Sequence, residues 1–222
     1  MAQQVLTRPS LPGTALPDVW SQFTHALEPV EFGRGTVILP AGSRTNTLYV
    51  LGSGKAKTTC ASPDGKELLL DFHAAGDVLA EPTLFDAGPS ATTTTAMTRI
   101  EAGRIALDTL HKWLVMCPEI TEHLLRTMAR RHRERHQMRM DLVQAEAPAR
   151  LAKALLRLAG RFQRLVIEDV TQQELGQYIG SGRDTVNKIL ADFAQREWIV
   201  IERRSILLTD TAALAKRSRI PG

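Results

Sequence analysis

Cysteine is almost missing from this 222-residue chain. Cys60 and Cys117 stand far apart and fit no metal-ligand spacing, which argues against a zinc site and against a disulfide framework. Long apolar runs are missing as well. No stretch of about 18 apolar residues occurs, so no segment is expected to span a bilayer. Met1 to Pro12 has no apolar stretch of the secretory kind. Catalytic signatures are also lacking: there is no P-loop, no G-x-S-x-G, no H-E-x-x-H and no C-x-x-C, so an enzyme is not expected. The simplest reading is a soluble protein of the reducing cytoplasm, with no metal site and no membrane contact.

What the chain does have is a hydrophobic share of 43%, enough to build real cores. Its net charge of +4 conceals an asymmetry. Met1 to Leu125 carries 9 Lys+Arg against 13 Asp+Glu, and Arg126 to Gly222 carries 19 against 11. A basic C-terminal part behind an acidic N-terminal part points to a polyanionic partner for the C-terminal part. Well-solvated arginine-rich helices would give the same count.

Residues 1–17 hold Pro9, Pro12, Gly13 and Pro17 and read as a loose arm, followed by a short helix over 18–27. From Val30 to Ile105 short β-rich runs alternate with turn residues. The runs are 36–39, 47–51, 55–60, 67–72 and 92–100, and Asp64-Gly65 is the strongest hairpin signal. Strands at this spacing suggest a small barrel or sandwich. Helix then extends from about Asp108 to Gln144 with a break at Cys117-Pro118, because proline cannot donate an N–H. The second piece is long and carries Leu124, Leu125, Met128, Met138 and Leu142. Such a stripe suits a dimerisation helix, and it also suits a helix packed on its own β domain. Pro148 opens the next helix, whose apolar face is Leu151, Ala154, Leu155, Leu158 and Ala159, with Gly160 as its expected end. Residues 164–170 read as a strand.

Thr171-Gln172-Gln173-Glu174 is a capping box. It starts a short helix with Leu175 and Tyr178 or Ile179 inward. Gly180-Ser181-Gly182 supplies a turn, and a second helix begins near Arg183 with Val186, Ile189, Leu190 and Phe193 as its apolar face. Two short helices joined through glycine match a helix-turn-helix. Arg183, Asp184, Asn187 and Lys188 fall on the opposite face, in the first two turns, where this motif meets base edges in a major groove. Arginine can take guanine O6 and N7, aspartate can accept from cytosine N4, and lysine can reach guanine or phosphate. Two β-rich runs around Arg203-Arg204 form a wing whose tip suits phosphate, and Thr171, Ser181 and Thr185 are further phosphate candidates.

The stretch VTQQELGQYIGSGRDTVNKILADFAQREWI, from Val170 to Ile199, resembles the cyclic-AMP receptor protein/FNR family of bacterial regulators. It keeps Thr171, Glu174, Leu175, Gly176, Ile179, Gly180, Arg183, Thr185, Val186 and Leu190. It departs with Asp184 for glutamate and Lys188 for arginine. Phe32, Gly35, Ile38 and Gly42, then Leu48, Tyr49, Leu51 and Gly54, then Gly76-Asp77 and Leu84-Phe85 with Gly88, are similar to the family's β-roll. The resemblance runs from about Trp20 to Leu208. It implies an α+β fold: a cyclic-nucleotide-binding-like β-roll sensor over 1–117, a long dimerisation helix over 118–146, and a winged helix-turn-helix over 147–222. It further implies double-stranded DNA, a second copy of the chain and RNA polymerase as partners.

At the family's effector pocket the resemblance puts Ala80-Glu81, then Pro89-Ser90-Ala91-Thr92. Ala91 takes the place of the arginine that grips a cyclic nucleotide's phosphate, so a charge-assisted bidentate contact is lost. Arg135 and His136 stand where the family's Thr-Ser pair meets adenine. The candidate effector residues are therefore Ala80, Glu81, Thr92, Thr93, Arg135 and His136, with cyclic nucleotide an open ligand that lacks its phosphate arginine. A haem sensor would need an axial ligand from His73, Cys60, His132 or His136. An iron–sulfur sensor would need N-terminal cysteines, which are missing. A nucleotide-binding interaction module without DNA function is the alternative of a different class.

Overall fold

The computed structural model describes residues 17–62, 67–79, 85 and 88–219. Asp64, Gly65, Ala80, Glu81 and Leu84 lie outside the described residues. The chain divides into two compact units, one made of Met1–Gly65 with Phe72–His132 and the other of Lys66–Asp71 with Arg133–Gly222.

The first unit begins with helix α1 (Pro17–His25). Strands β1 (Glu28–Phe32), β2 (Val37–Leu39), β3 (Thr47–Ser53), β4 (Ala56–Ala61), β5 (Glu67–His73, of which residues 67–71 are counted with the second unit), β6 (Val78–Leu79), β7 (Thr93–Ala96) and β8 (Ile100–Ala106) follow. They form two four-stranded sheets ordered β1-β8-β3-β6 and β2-β7-β4-β5. The expected run 92–100 is not one strand. It turns between Ala96 and Ile100, and β8 leaves to pair with β1 and β3 in the other sheet, Val30 opposite Ala102 and Leu48 opposite Ile105. Phe23, Leu48, Leu51, Ile100, Leu110 and Ile120 fill the core between these elements. Phe23 meets Trp113 edge-on at 5.7 Å between ring centroids, a geometry that adds to the area buried.

Helices α2 (Leu107–Met116) and α3 (Pro118–Gln144) are separated at Cys117, as the proline requires. The apolar stripe expected on α3 resolves into two faces. Ile120 and Leu124 belong to the β-roll core. Leu125, Met140, Leu142 and Val143 are exposed, Val143 by 85%. Arg131 is only 5% exposed and anchors the inward face. It donates from Nη1 to the carbonyl of Val78 at 2.7 Å and from Nη2 to Asp77 Oδ1 at 3.0 Å.

In the second unit α4 (Ala147–Phe162) buries Leu151, Ala154, Leu155, Leu158 and Ala159, the face that the spacing predicts. Gly160 does not end it. The helix runs two residues further and Gln163 takes the left-handed cap at φ 51, a conformation that costs a non-glycine residue roughly 1–2 kcal/mol. Strand β9 (Val166–Glu168), helices α5 (Gln172–Ile179) and α6 (Arg183–Gln195), strands β10 (Ile199–Ile201) and β11 (Ser205–Leu208), and helix α7 (Thr211–Arg217) complete it. The strands form one antiparallel sheet ordered β10-β11-β9. Leu214 of α7 is buried.

Candidate nucleic-acid interface

Local chemistry sets both ends of α5. The amide of Glu174 donates to Thr171 Oγ1 at 3.1 Å, and the amide of Thr171 donates to Glu174 Oε2 at 2.8 Å. Both halves of the capping box are present. The Thr171 hydroxyl also donates to Glu174 Oε2 at 2.9 Å, so this candidate phosphate contact is already occupied by the cap. At the other end Gly180 adopts φ 63, where glycine meets no Cβ penalty. Gly176 lets the turn close on the helix, since a Cβ there would lie 2.7 Å from the carbonyl oxygen of Ser181. Leu175, Tyr178 and Ile179 are all buried. Burial, then the negative charge of Asp71, raises the Tyr178 phenol above its ordinary value.

Helix α6 starts at Arg183, as the spacing predicts, and Val186, Ile189, Leu190 and Phe193 are buried along one side. Each such side chain stabilises the unit by roughly 1.5–3 kcal/mol. Arg183, Asp184, Thr185 and Lys188 are exposed and Ser181 is half-buried. Asn187 differs: it is half-buried, and its Oδ1 is shielded with no hydrogen-bond donor among the described residues. The candidate face therefore offers Arg183, Asp184 and Lys188 freely and Asn187 only in part.

The wing follows from packing at the end of α6. Trp198 packs against Phe193 with the rings tilted by 41° and 5.3 Å between centroids, and the Arg196 guanidinium lies 5.3 Å above the Trp198 ring. Trp198 is thus a packing residue that precedes the strand. Ile201 pairs with Ile206, and the Glu202 amide donates to the Ser205 carbonyl at 2.9 Å. Arg203 and Arg204 form the exposed tip between them. Neither has a positive φ, so the tip is not the glycine-type hairpin turn. Arg183, Lys188, Arg203 and Arg204 form no ion pair with the described residues.

The effector candidates among the described residues divide between the two units. Thr92 and Thr93 belong to the first unit and Arg135 and His136 to the second. Thr93 Oγ1 accepts from the amide of Ala41 at 3.1 Å, and the amide of Thr92 donates to Ser90 Oγ at 3.2 Å. Arg135 Nη2 lies 3.9 Å from Asp71 Oδ2, and His136 is exposed. His73, the roll's candidate haem ligand, is 4% exposed with Nε2 2.7 Å from Thr58 Oγ1, which in turn is 2.9 Å from Thr94 Oγ1. That nitrogen is committed to the threonine pair. Among the described residues no group of three or more His, Cys, Asp or Glu could hold a metal ion, and no helix is long and apolar enough to cross a membrane.

Known proteins share both regions. The cyclic nucleotide-binding domain family matches residues 29–115, and the Crp-like helix-turn-helix domain family matches residues 149–217. The chain is 39% identical over 222 residues to the CRP-like cAMP-activated global transcriptional regulator of Mycobacterium tuberculosis, covering 97% of this chain and 99% of that protein. FixK2 of Bradyrhizobium japonicum has the same fold, with a TM-score of 0.79 at 18% identity, over 89% of this chain and all of that one. A CRP-family transcriptional regulator of Thermus thermophilus is 28% identical with a TM-score of 0.70, over 85% of this chain and 96% of that one.

Proposed function

Since the chain belongs to the Crp/Fnr family of DNA-binding transcription regulators, which are not enzymes, we propose that it reads an inverted-repeat operator as a homodimer. The observation that carries this is the outward display of Arg183, Asp184 and Lys188 on the first two turns of α6, opposite a fully packed face. In that geometry each α6 enters a major groove, with the two half-sites about 34–36 Å apart. The wing tip Arg203-Arg204 adds phosphate contacts, and Ser181 and Thr185 flank the helix start. Pairing runs along α3, whose exposed Leu125, Met140 and Val143 otherwise face water. RNA polymerase is the partner expected once the dimer is on DNA.

Effector binding in this reading does not follow the usual cyclic AMP chemistry. Ala91 supplies no cation for a phosphate, and Arg135 lies close to Asp71. The name of the mycobacterial relative favours a second reading, a cyclic nucleotide held without that arginine. Genomic footprinting of the native protein, with and without cyclic nucleotides, tests both. Inverted repeats protected regardless of nucleotide support the first. Protection that requires nucleotide supports the second, and no sequence preference at all ends the operator reading.

A further inference from the structure

One guanidinium closes the ends of two helices. Arg150, in the first turn of α4, donates from Nη1 to the carbonyl of Ala145 at 2.6 Å, just past the end of α3. It donates from Nε to the carbonyl of Ile179 at 2.8 Å and from Nη2 to the carbonyl of Gly180 at 3.3 Å, where α5 ends and the turn into α6 begins. Carbonyls at a helix C-terminus have no partner within the helix and carry the negative end of its dipole. A planar, permanently charged fork can satisfy three of them in diverging directions. A lysine ammonium is a point charge and cannot span them.

Two ion pairs continue the same seam. Lys153 Nζ lies 2.7 Å from Asp141 Oδ1, and Arg161 Nη2 lies 2.9 Å from Glu134 Oε2. As the cations advance along α4, from 150 to 153 to 161, their partners retreat along the preceding chain, from 145 to 141 to 134. The last turns of α3 and the whole of α4 are therefore zipped antiparallel, and Arg150 is the rung that also holds the helix-turn-helix. The fit at that rung is close: a Cβ added at Gly180 would come within 2.6 Å of Leu142 Cδ2.

We propose that Arg150 is a positioning residue for operator recognition. It touches no nucleic acid. By clamping Ile179 and Gly180 against the end of α3 it fixes the turn from which Arg183, Asp184 and Lys188 project, and so converts the attitude of the long helix into the attitude of the recognition helix. The inference rests on the DNA-binding reading, and its test separates the two.

The test uses the full-length protein and the variants Arg150→Lys, Arg150→Gln and Lys153→Met. Amide hydrogen exchange without DNA is the first readout. Both Arg150 variants should accelerate exchange about 10-fold or more over residues 180–186, since losing even one charge-assisted hydrogen bond net of solvation has that effect. Lys153→Met removes a neighbouring ion pair and should leave those amides unchanged. Operator titration at several salt concentrations is the second readout. Arg150→Lys should weaken specific binding about 10-fold or more with an unchanged salt slope, since no phosphate contact is removed. Unchanged exchange in both Arg150 variants overturns the proposal, as does equal acceleration in Lys153→Met. A salt slope shallower by about one ion makes Arg150 a phosphate contact and also overturns it. If Arg150→Lys does not fold, Arg150→Gln carries the same comparisons. If the wild-type protein prefers no operator, the DNA reading fails by itself and the exchange data still decide what Arg150 does.

Discussion

Two stretches of the chain treat their functional groups in opposite ways. Between Thr171 and Leu190 each signature residue has one structural duty: Thr171 and Glu174 cap, Gly180 turns, Leu175, Val186 and Leu190 pack. The charged residues left over face outward. Between Ser90 and Thr94 the polar groups are engaged within the roll: Ser90 with Thr92, Thr93 with the amide of Ala41, and Thr94 with Thr58, which in turn meets His73. A base-reading face is a helix surface, so it survives wherever the helix packs. A ligand pocket needs particular groups kept unsatisfied until the ligand arrives, and the β-roll frame stands without them.

That contrast can be broken at several points, beginning with the largest effect. Phe193→Ala should cost about 3–5 kcal/mol of stability in denaturant titration and abolish operator binding with it. A stable variant that still bound would separate the recognition surface from its core. Arg183→Ala should cost about 1–3 kcal/mol of operator affinity, concentrated at one base pair, in a titration against operators varied base by base. Loss spread evenly across all sequences would make it a phosphate contact. Thr171→Ala should remove about 0.5–2 kcal/mol of stability, measured by thermal unfolding, through loss of the cap. Its specificity should not change, because the hydroxyl serves Glu174. Arg203→Ala and Arg204→Ala should each lower the salt slope of binding by about 0.9 while the preferred sequence stays the same. The smallest effect belongs to the roll: calorimetric titration with cyclic AMP should show no binding at micromolar concentration. Tight binding there would mean that a phosphate can be held without an arginine at position 91, and the contrast would close.

The helix-turn-helix was legible because its signals are local. A capping box spans four residues, a glycine cap one, and an apolar face two or three turns. Helix α7 carried a signal of the same kind and was missed: Asp210 accepts from the amide of Ala213 and caps it. Strands β1 and β8 were hidden because their pairing joins residues about 70 apart, Val30 with Ala102 and Glu31 with Glu101, and short strands of mixed polarity carry no periodicity of their own. The true end of α4 escaped for a related reason. Gly160 is a good cap, but Phe162 remains helical and Gln163 bears the left-handed turn.

The amino-acid order alone determined where the helices of the C-terminal unit start, which of their faces pack, and which charges are left outside. It also determined that position 91 is an alanine. Those properties depend on neighbours within a few residues or on the bare identity of a side chain. Only the tertiary structure decided that α3 has one face for its own chain and another for solvent, that Asn187 is partly withdrawn, and that Arg150 joins the ends of two helices. Each of those depends on which distant backbone arrives beside a side chain, and the carbonyl groups Arg150 receives look alike in every sequence.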